Sequence, residues 1–176
     1  RSHDRICHKL ADAAGISVAS VYYRLAPEHP FPAALEDATA VYSALAERAD
    51  ELDIDPEKMA VGGDSAGGNL AAVLCNGLRG GSSSPVFQLL VYPVVDLTEE
   101  RRSYEKYART GIITREVANW CKPLYTGDSD PRDPRLSPLL EPDLSGLPPT
   151  YILLAGFDIL LDEGLEYARR LHEAGT

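Results

Sequence analysis

At 176 residues, 44% of them hydrophobic and 25% charged, the chain is long enough for one domain with a sizeable core and has the balance of a soluble globular protein. A net charge of −10 argues against a nucleic-acid partner, because phosphate contacts need an excess of lysine and arginine. No run is apolar for long enough to span a bilayer, and Cys7, Cys75 and Cys121 form no CxxC pair, so they read as buried free thiols of a reducing compartment such as the cytoplasm.

Apolar runs and helical patterns alternate along the chain, which predicts βαβ units around a parallel sheet. Asp4 to Ala14 reads as a helix with Ile6, Leu10 and Ala14 on one face, stopped by Gly15. Ile16 to Tyr23 is rich in β-branched and aromatic residues and predicts a strand. A loop punctuated by Pro27, Pro30 and Pro32 follows, and Pro32 suits the first turn of a helix that carries Leu35, Ala38, Tyr42 and Leu45 at helical spacing. A short strand is predicted over Met59 to Val61, then a glycine-rich turn around Ser65, then a buried helix over Asn69 to Leu78. Gly80 to Ser84 is a loop. The apolar run Val86 to Val95 predicts a strand covered on both faces, with regular pairing ending near Pro93.

From about residue 97 to residue 147 the alternation breaks. A helical patch over Thr114 to Cys121, with Thr114 as its cap, is followed by a proline-rich turn region over Asp128 to Pro138. The stretch is too long for a plain loop and reads as an insertion with structure of its own. The main pattern resumes with a strand over Tyr151 to Ala155 and a helix near Asp162 to Ala174, with Leu161, Leu165, Ala168 and Leu171 on one face.

Gly63-Asp64-Ser65-Ala66-Gly67 matches G-x-S-x-G. A serine hydroxyl is a poor nucleophile until a base takes its proton, so it must stand where a histidine and a substrate both reach it. A sharp strand-to-helix turn achieves this at the expense of backbone strain, and the flanking glycines leave room for strand and helix to approach. The Ala66 N–H then faces a developing oxyanion at the positive end of the helix. The competing reading is a glycine-rich turn with an incidental serine. The apolar strand before it and the helix after it favour the nucleophile.

A triad on such a sheet runs in the order serine, acid, histidine. The acid belongs just past a later strand, where Asp158 follows Tyr151 to Ala155 through a Gly156-Phe157 turn. Its competing role is to open the next helix, and Asp96 is a rival acid at another strand end. None of His3, His8, His29 and His172 lies in a loop after one further strand, where the base is expected. No cluster has metal-ligand spacing, so no metal or cofactor is expected.

Three passages resemble one family. Gly63-Asp64-Ser65-Ala66-Gly67-Gly68-Asn69 is similar to the nucleophile elbow of the hormone-sensitive-lipase-like branch of the α/β-hydrolases, particularly its bacterial carboxylesterases. The stretch from Tyr23-Arg24-Leu25-Ala26-Pro27-Glu28 to Ala34 resembles the family's loop and helix start after a core strand. Gly156-Phe157-Asp158-Ile159-Leu160-Leu161-Asp162-Glu163-Gly164 resembles its acid loop, whose first aspartate is catalytic. The resemblance implies an α/β-hydrolase fold, a doubly wound and mostly parallel sheet with helices on both faces, as one domain over residues 1–176. It also implies part of a helical lid over about 97–147, where Tyr104, Tyr107, Ile112, Ile113, Trp120 and Leu124 line an acyl pocket or form the lid's own core.

The implied activity is carboxylic ester hydrolysis of short- to medium-chain acyl esters, with a small-molecule ester as the partner and Ser65, Asp158 and the Ala66 N–H as the site. The family's His-Gly-Gly-Gly segment is expected before Arg1 and its catalytic histidine after Thr176. Arg24 and Glu28 read as a structural pair that fixes the proline loop. The alternatives are a binding protein on a hydrolase scaffold and an amidase or peptidase with the same triad.

Overall fold

A computed structural model describes residues 3–111 and 113–176. Three short parallel strands form its sheet: β1 (Val61–Asp64), β2 (Gln88–Val91) and β3 (Thr150–Leu153), in the order β1-β2-β3. Parallel neighbours need crossovers. The helix α4 (Ala66–Leu78) links β1 to β2, and the long segment 97–147 links β2 to β3. Before the sheet come α1 (Asp4–Ala14), α2 (Ala33–Glu47) and the single turn α3 (Ala49–Leu52). The crossover to β3 carries α5 (Arg102–Lys106) and α6 (Arg115–Thr126), and α7 (Leu161–Glu173) follows β3.

Register decides which side chains face the helices. Gly63, Leu90 and Ile152 lie abreast, as do Val61, Gln88 and Thr150. On that face Leu90 meets Ala71, Ala72 and Cys75 of α4 and Tyr167 and Leu171 of α7 in one core. Leu139, Leu144 and Leu147 of the 97–147 crossover join the same core. On the other face Tyr151 and Leu153 are exposed. The helix α4 is buried continuously from Gly68 to Cys75, as its apolar run predicts, while α1 buries none of its residues.

Local rules place several ends well. Gly15 ends α1 in the left-handed region (φ 64°) and donates its N–H to the Ala11 carbonyl. Thr114 caps α6, its hydroxyl accepting from the Val117 N–H at 3.3 Å. That helix runs past the predicted Cys121 to Thr126, with Pro123 inside it.

Other expectations are corrected. Ile16 to Tyr23 forms no ladder among the described residues, and Tyr22 is 90% exposed. Strand propensity needs a neighbouring strand to become a strand. The first strand starts at Val61, not Met59, because its ladder begins where Gln88 stands opposite. The second strand is four residues rather than the predicted ten, because Tyr92 turns to a positive φ of 37° and Pro93 has no N–H to donate. The buried stripe of α7 is Glu163, Gly164, Tyr167 and Leu171 rather than the leucine face, and Leu165 is 53% exposed. Of the three free cysteines only Cys75 is buried, where burial pushes its thiol up to about 12; Cys121 is exposed.

The glycines of the elbow are not equivalent. A Cβ on Gly63 would stand 2.3 Å from the backbone C and O of Gly67, and one on Gly68 would stand 2.9 Å from the Pro93 Cβ. A Cβ on Gly67 would meet nothing within 4 Å, so Gly67 is not needed for the close approach that its position suggests. Main chain cannot yield as a flexible side chain does. Gly63→Ala is therefore expected to cost at least about 3 kcal/mol in urea denaturation, and Gly67→Ala about 1 kcal/mol or less. Equal midpoints for the two variants would contradict this packing.

Candidate active site

Ser65 stands where β1 ends and α4 begins. Its backbone has φ 53° and ψ −117°, outside the regions that non-glycine residues favour. Three bonds hold it there. The Ser65 N–H donates to the Val91 carbonyl at 2.9 Å, and its carbonyl accepts from Asn69 N–H at 3.1 Å and Val94 N–H at 3.2 Å. The residue is half-buried, and its hydroxyl has no hydrogen-bond partner among the described residues. Next to it the exposed Ala66 opens a thirteen-residue helix, whose first N–H groups have no partner within the helix.

Asp158 is half-buried in the loop between β3 and α7. Its Oδ1 accepts from the Leu160 N–H at 3.0 Å in a turn just ahead of α7, whose N-cap is Leu160 and carries no side-chain cap bond. That turn engages one carboxylate oxygen. Asp64, Val91 and Leu153 are abreast at the carboxyl ends of the three strands, two strand spacings, or about 10 Å, from first to last. Ser65 and Asp158 both leave from this rim, where α/β sheets hold their ligands. A serine–imidazole–carboxylate relay spans about 7–8 Å from oxygen to oxygen, two hydrogen bonds plus the ring width.

The rival Asp96 is fully buried with both oxygens engaged. Oδ1 accepts from Thr98 N–H at 2.9 Å and Thr98 Oγ1 at 2.6 Å, and Oδ2 accepts from Arg101 at 3.0 Å. Burial alone would raise its carboxyl. The bonds from Thr98 and Arg101 outweigh that and hold it below the usual carboxylate range.

His3 Nε2 is 3.2 Å from an Asp64 oxygen, at the elbow but on its aspartate. His8 and His29 are exposed, and His172 is exposed in the last turn of α7, about 16 Å along that helix from its start.

Arg24 pairs with Asp37, not Glu28. It donates from its backbone and from Nη2 to Asp37, at 2.8 Å each, and from Nη2 to Glu36 at 3.3 Å. The loop is thus tied to the start of α2 by a half-exposed pair that water and salt screen.

The pocket candidates separate. Tyr104 is 1% exposed and packs beneath the acid loop with Ile159 and Leu160. Tyr107 stacks edge-on to Phe157 at 5.8 Å. Ile113 is exposed, Trp120 is 66% exposed and Leu124 is half-buried, while Ile112 lies outside the described residues.

Sequence reasoning missed two buried polar residues near the rim, Asn69 on α4 and Glu163 on α7. The signal was a polar side chain inside an apolar stripe, hidden at Glu163 because the stripe itself was placed on the wrong face.

No described helix is long and apolar enough to cross a membrane. A family model described as an alpha/beta hydrolase fold matches residues 1–176. Over 99% of its length the chain is 48% identical to the carboxylic ester hydrolase LipN of Mycobacterium tuberculosis and 41% identical to an ethyl acetate hydrolase of Pseudomonas putida. It spans about half of these relatives, 49% and 56% of their lengths. Among solved structures, the thermophilic carboxylesterase EstE1 from a metagenomic library superposes with a TM-score of 0.95 at 43% identity, over 99% of this chain and 61% of that one. A hyperthermophilic esterase from the archaeon Pyrobaculum calidifontis gives 0.94 at 42% identity, over 99% and 57%. These esterases bear out the resemblance drawn from the three sequence passages. With an elbow serine between β1 and α4, a parallel sheet and a family match along its whole length, the chain belongs to the α/β-hydrolase family.

Proposed function

We propose that the protein carrying this chain hydrolyses carboxylic esters of short to medium acyl chains through a Ser-His-Asp triad. Ser65 Oγ attacks the ester carbonyl. A histidine outside these 176 residues takes its proton and delivers it to the departing alcohol. Asp158 orients that imidazole and stabilises its protonated form. The Ala66 N–H, with a second donor from a glycine-rich segment, receives the negative charge on the carbonyl oxygen. Water, activated by the same histidine, then cleaves the acyl-enzyme. The segment 97–147 serves as part of a lid, with the half-buried Tyr107 and the exposed Phe157, stacked edge-on beside the acid, as one wall of the acyl site.

The observation that carries this reading is the positive φ of Ser65, a strained conformation held by three backbone bonds at the rim of a parallel sheet. Its esterase relatives, among them a protein named for ethyl acetate, support the substrate class.

A nitrophenyl ester series tests it on the full-length protein carrying this sequence. Turnover is expected to be greatest for acyl chains of roughly two to eight carbons, with one phosphonate-reactive serine per molecule. The 176-residue chain alone is expected to be slower by at least about 10³-fold. Full-length protein that turns over no ester, or the isolated chain matching it, would sink the proposal.

A further inference from the structure

The backbone that leaves β2 runs between the nucleophile and the acid, and it is held from both sides after its ladder has ended. Val94 donates to the Ser65 carbonyl at 3.2 Å. Val95 and Asp96 both donate to Glu163 Oε1, at 2.9 and 3.3 Å, and Leu97 donates to the Ser137 hydroxyl at 2.8 Å. On the other side the Asn69 amide donates to the carbonyls of Val94 and Leu136, at 2.9 Å each. Asn69 lies in the first turns of α4, four residues after Ser65. Glu163 lies in the first turn of α7, five residues after Asp158.

The start of α7 is itself anchored. Ser103 donates its N–H to Asp162 Oδ2 at 2.8 Å and its hydroxyl to the Ile159 carbonyl at 2.5 Å, and Asp162 returns its N–H to the Ser103 hydroxyl at 3.3 Å. A carboxyl on this face of α7 is costly. Glu163 is 0% exposed, and an apolar side chain would pack there without desolvating a polar group. Burial pushes the carboxyl up to about 8, so near neutrality it is held mainly in its uncharged form. Oε2 has no hydrogen-bond partner among the described residues, so the bonds Glu163 makes are those to Val95 and Asp96.

We propose that Glu163 is a positioning residue that fixes the spacing between Ser65 and Asp158, by fastening Val95 and Asp96 to α7 while Asn69 fastens Val94 to α4. The inference rests on the triad reading given above. The sheet sets the strands' spacing only as far as Val91 and Leu153; beyond them the strap of residues 92–96 carries it. A displacement of about 1 Å at a reacting group costs on the order of 100-fold in rate.

The test uses the full-length protein with Glu163→Gln, Glu163→Ala and Glu163→Asp, and reads kcat per phosphonate-titrated serine and KM for a nitrophenyl ester. Glutamine keeps a neutral acceptor at Oε1, so Glu163→Gln is expected to stay within about threefold of wild type. Glu163→Ala is expected to lose about 10- to 100-fold in kcat per titrated serine, with KM within about twofold. Glu163→Asp withdraws the oxygen by about one methylene and is expected to fall between them, and it carries the test if the alanine variant does not fold.

A merely structural role would lower the melting temperature and the titre while leaving kcat per titrated serine unchanged. That result, in the alanine or the aspartate variant, overturns the inference, as does a glutamine variant as slow as the alanine one. Ser65→Ala and Asp158→Asn run alongside. If these two keep full activity the triad reading itself fails; if they are inactive while the Glu163 variants are normal, only the clamp fails.

Discussion

Replacing Ser65 with alanine is expected to lower kcat for a nitrophenyl ester by at least about 10⁴-fold and to abolish phosphonate labelling. The size follows from what is removed. Without the hydroxyl no acyl-enzyme forms, and the remaining oxyanion donors act only on direct attack by water. The fold is expected to survive, because the three bonds that hold residue 65 use its backbone N–H and carbonyl. Alanine also keeps a Cβ at φ 53°, so the backbone strain is unchanged. Ser65→Gly, by contrast, relieves that strain and is expected to raise stability by about 1 kcal/mol while being equally inactive. The measurements are burst-phase kinetics and urea unfolding of the full-length protein. A Ser65→Ala variant that retains a burst would remove Ser65 from the mechanism.

The second large effect separates the two candidate acids. Asp158→Asn is expected to lower kcat by about 10³- to 10⁴-fold, because an amide cannot stabilise an imidazolium and favours the wrong tautomer. Its stability cost is expected to be small, since the asparagine oxygen still accepts the Leu160 N–H. Asp96→Asn is expected to do the reverse. It leaves Arg101 facing a neutral amide in a buried site, at a cost of about 2–4 kcal/mol, and lowers kcat per folded molecule by less than about tenfold.

The pH dependence follows the same division. The carboxyl of Asp96 is held below its ordinary 3.8 in the fold, so its stabilising contribution is present above about pH 4 and is lost as pH falls through the folded-state value. Asp96→Asn is therefore expected to flatten the acid limb of the stability curve. If Asp96→Asn rather than Asp158→Asn removed the activity, the acid would be reassigned.

Much of this was legible before any coordinates. The elbow motif carries its own geometry, because a serine between a strand and a helix flanked by glycines has few other uses. The bounds of α1 were read from local rules, since Gly15 reaches a left-handed conformation more readily than any residue with a side chain. Thr114 was read as a cap because its hydroxyl sits where α6 has unpaired N–H groups. Asp158 was a candidate acid by its place after a strand and by the resemblance of its loop to the family's, with Asp96 as the rival. What was not legible depended on partners distant in sequence. Ile16 to Tyr23 has strand composition, yet pairing belongs to a neighbour and not to the segment.

Composition and the strand-to-helix turn at Ser65 were therefore legible in the sequence alone, because the turn rests on steric rules that act within a few residues, whereas Asp158 became a candidate through its place after a strand and the family resemblance. Tertiary structure decided the rest. It chose Asp37 over Glu28 as the partner of Arg24, it turned Glu163 rather than Leu165 into the core, and it committed both oxygens of Asp96 while leaving one of Asp158 free of its turn. The physical reason is that burial and hydrogen-bond satisfaction are set by whatever packs opposite, and 3.6 residues per turn let a short helix bury either of two adjacent faces.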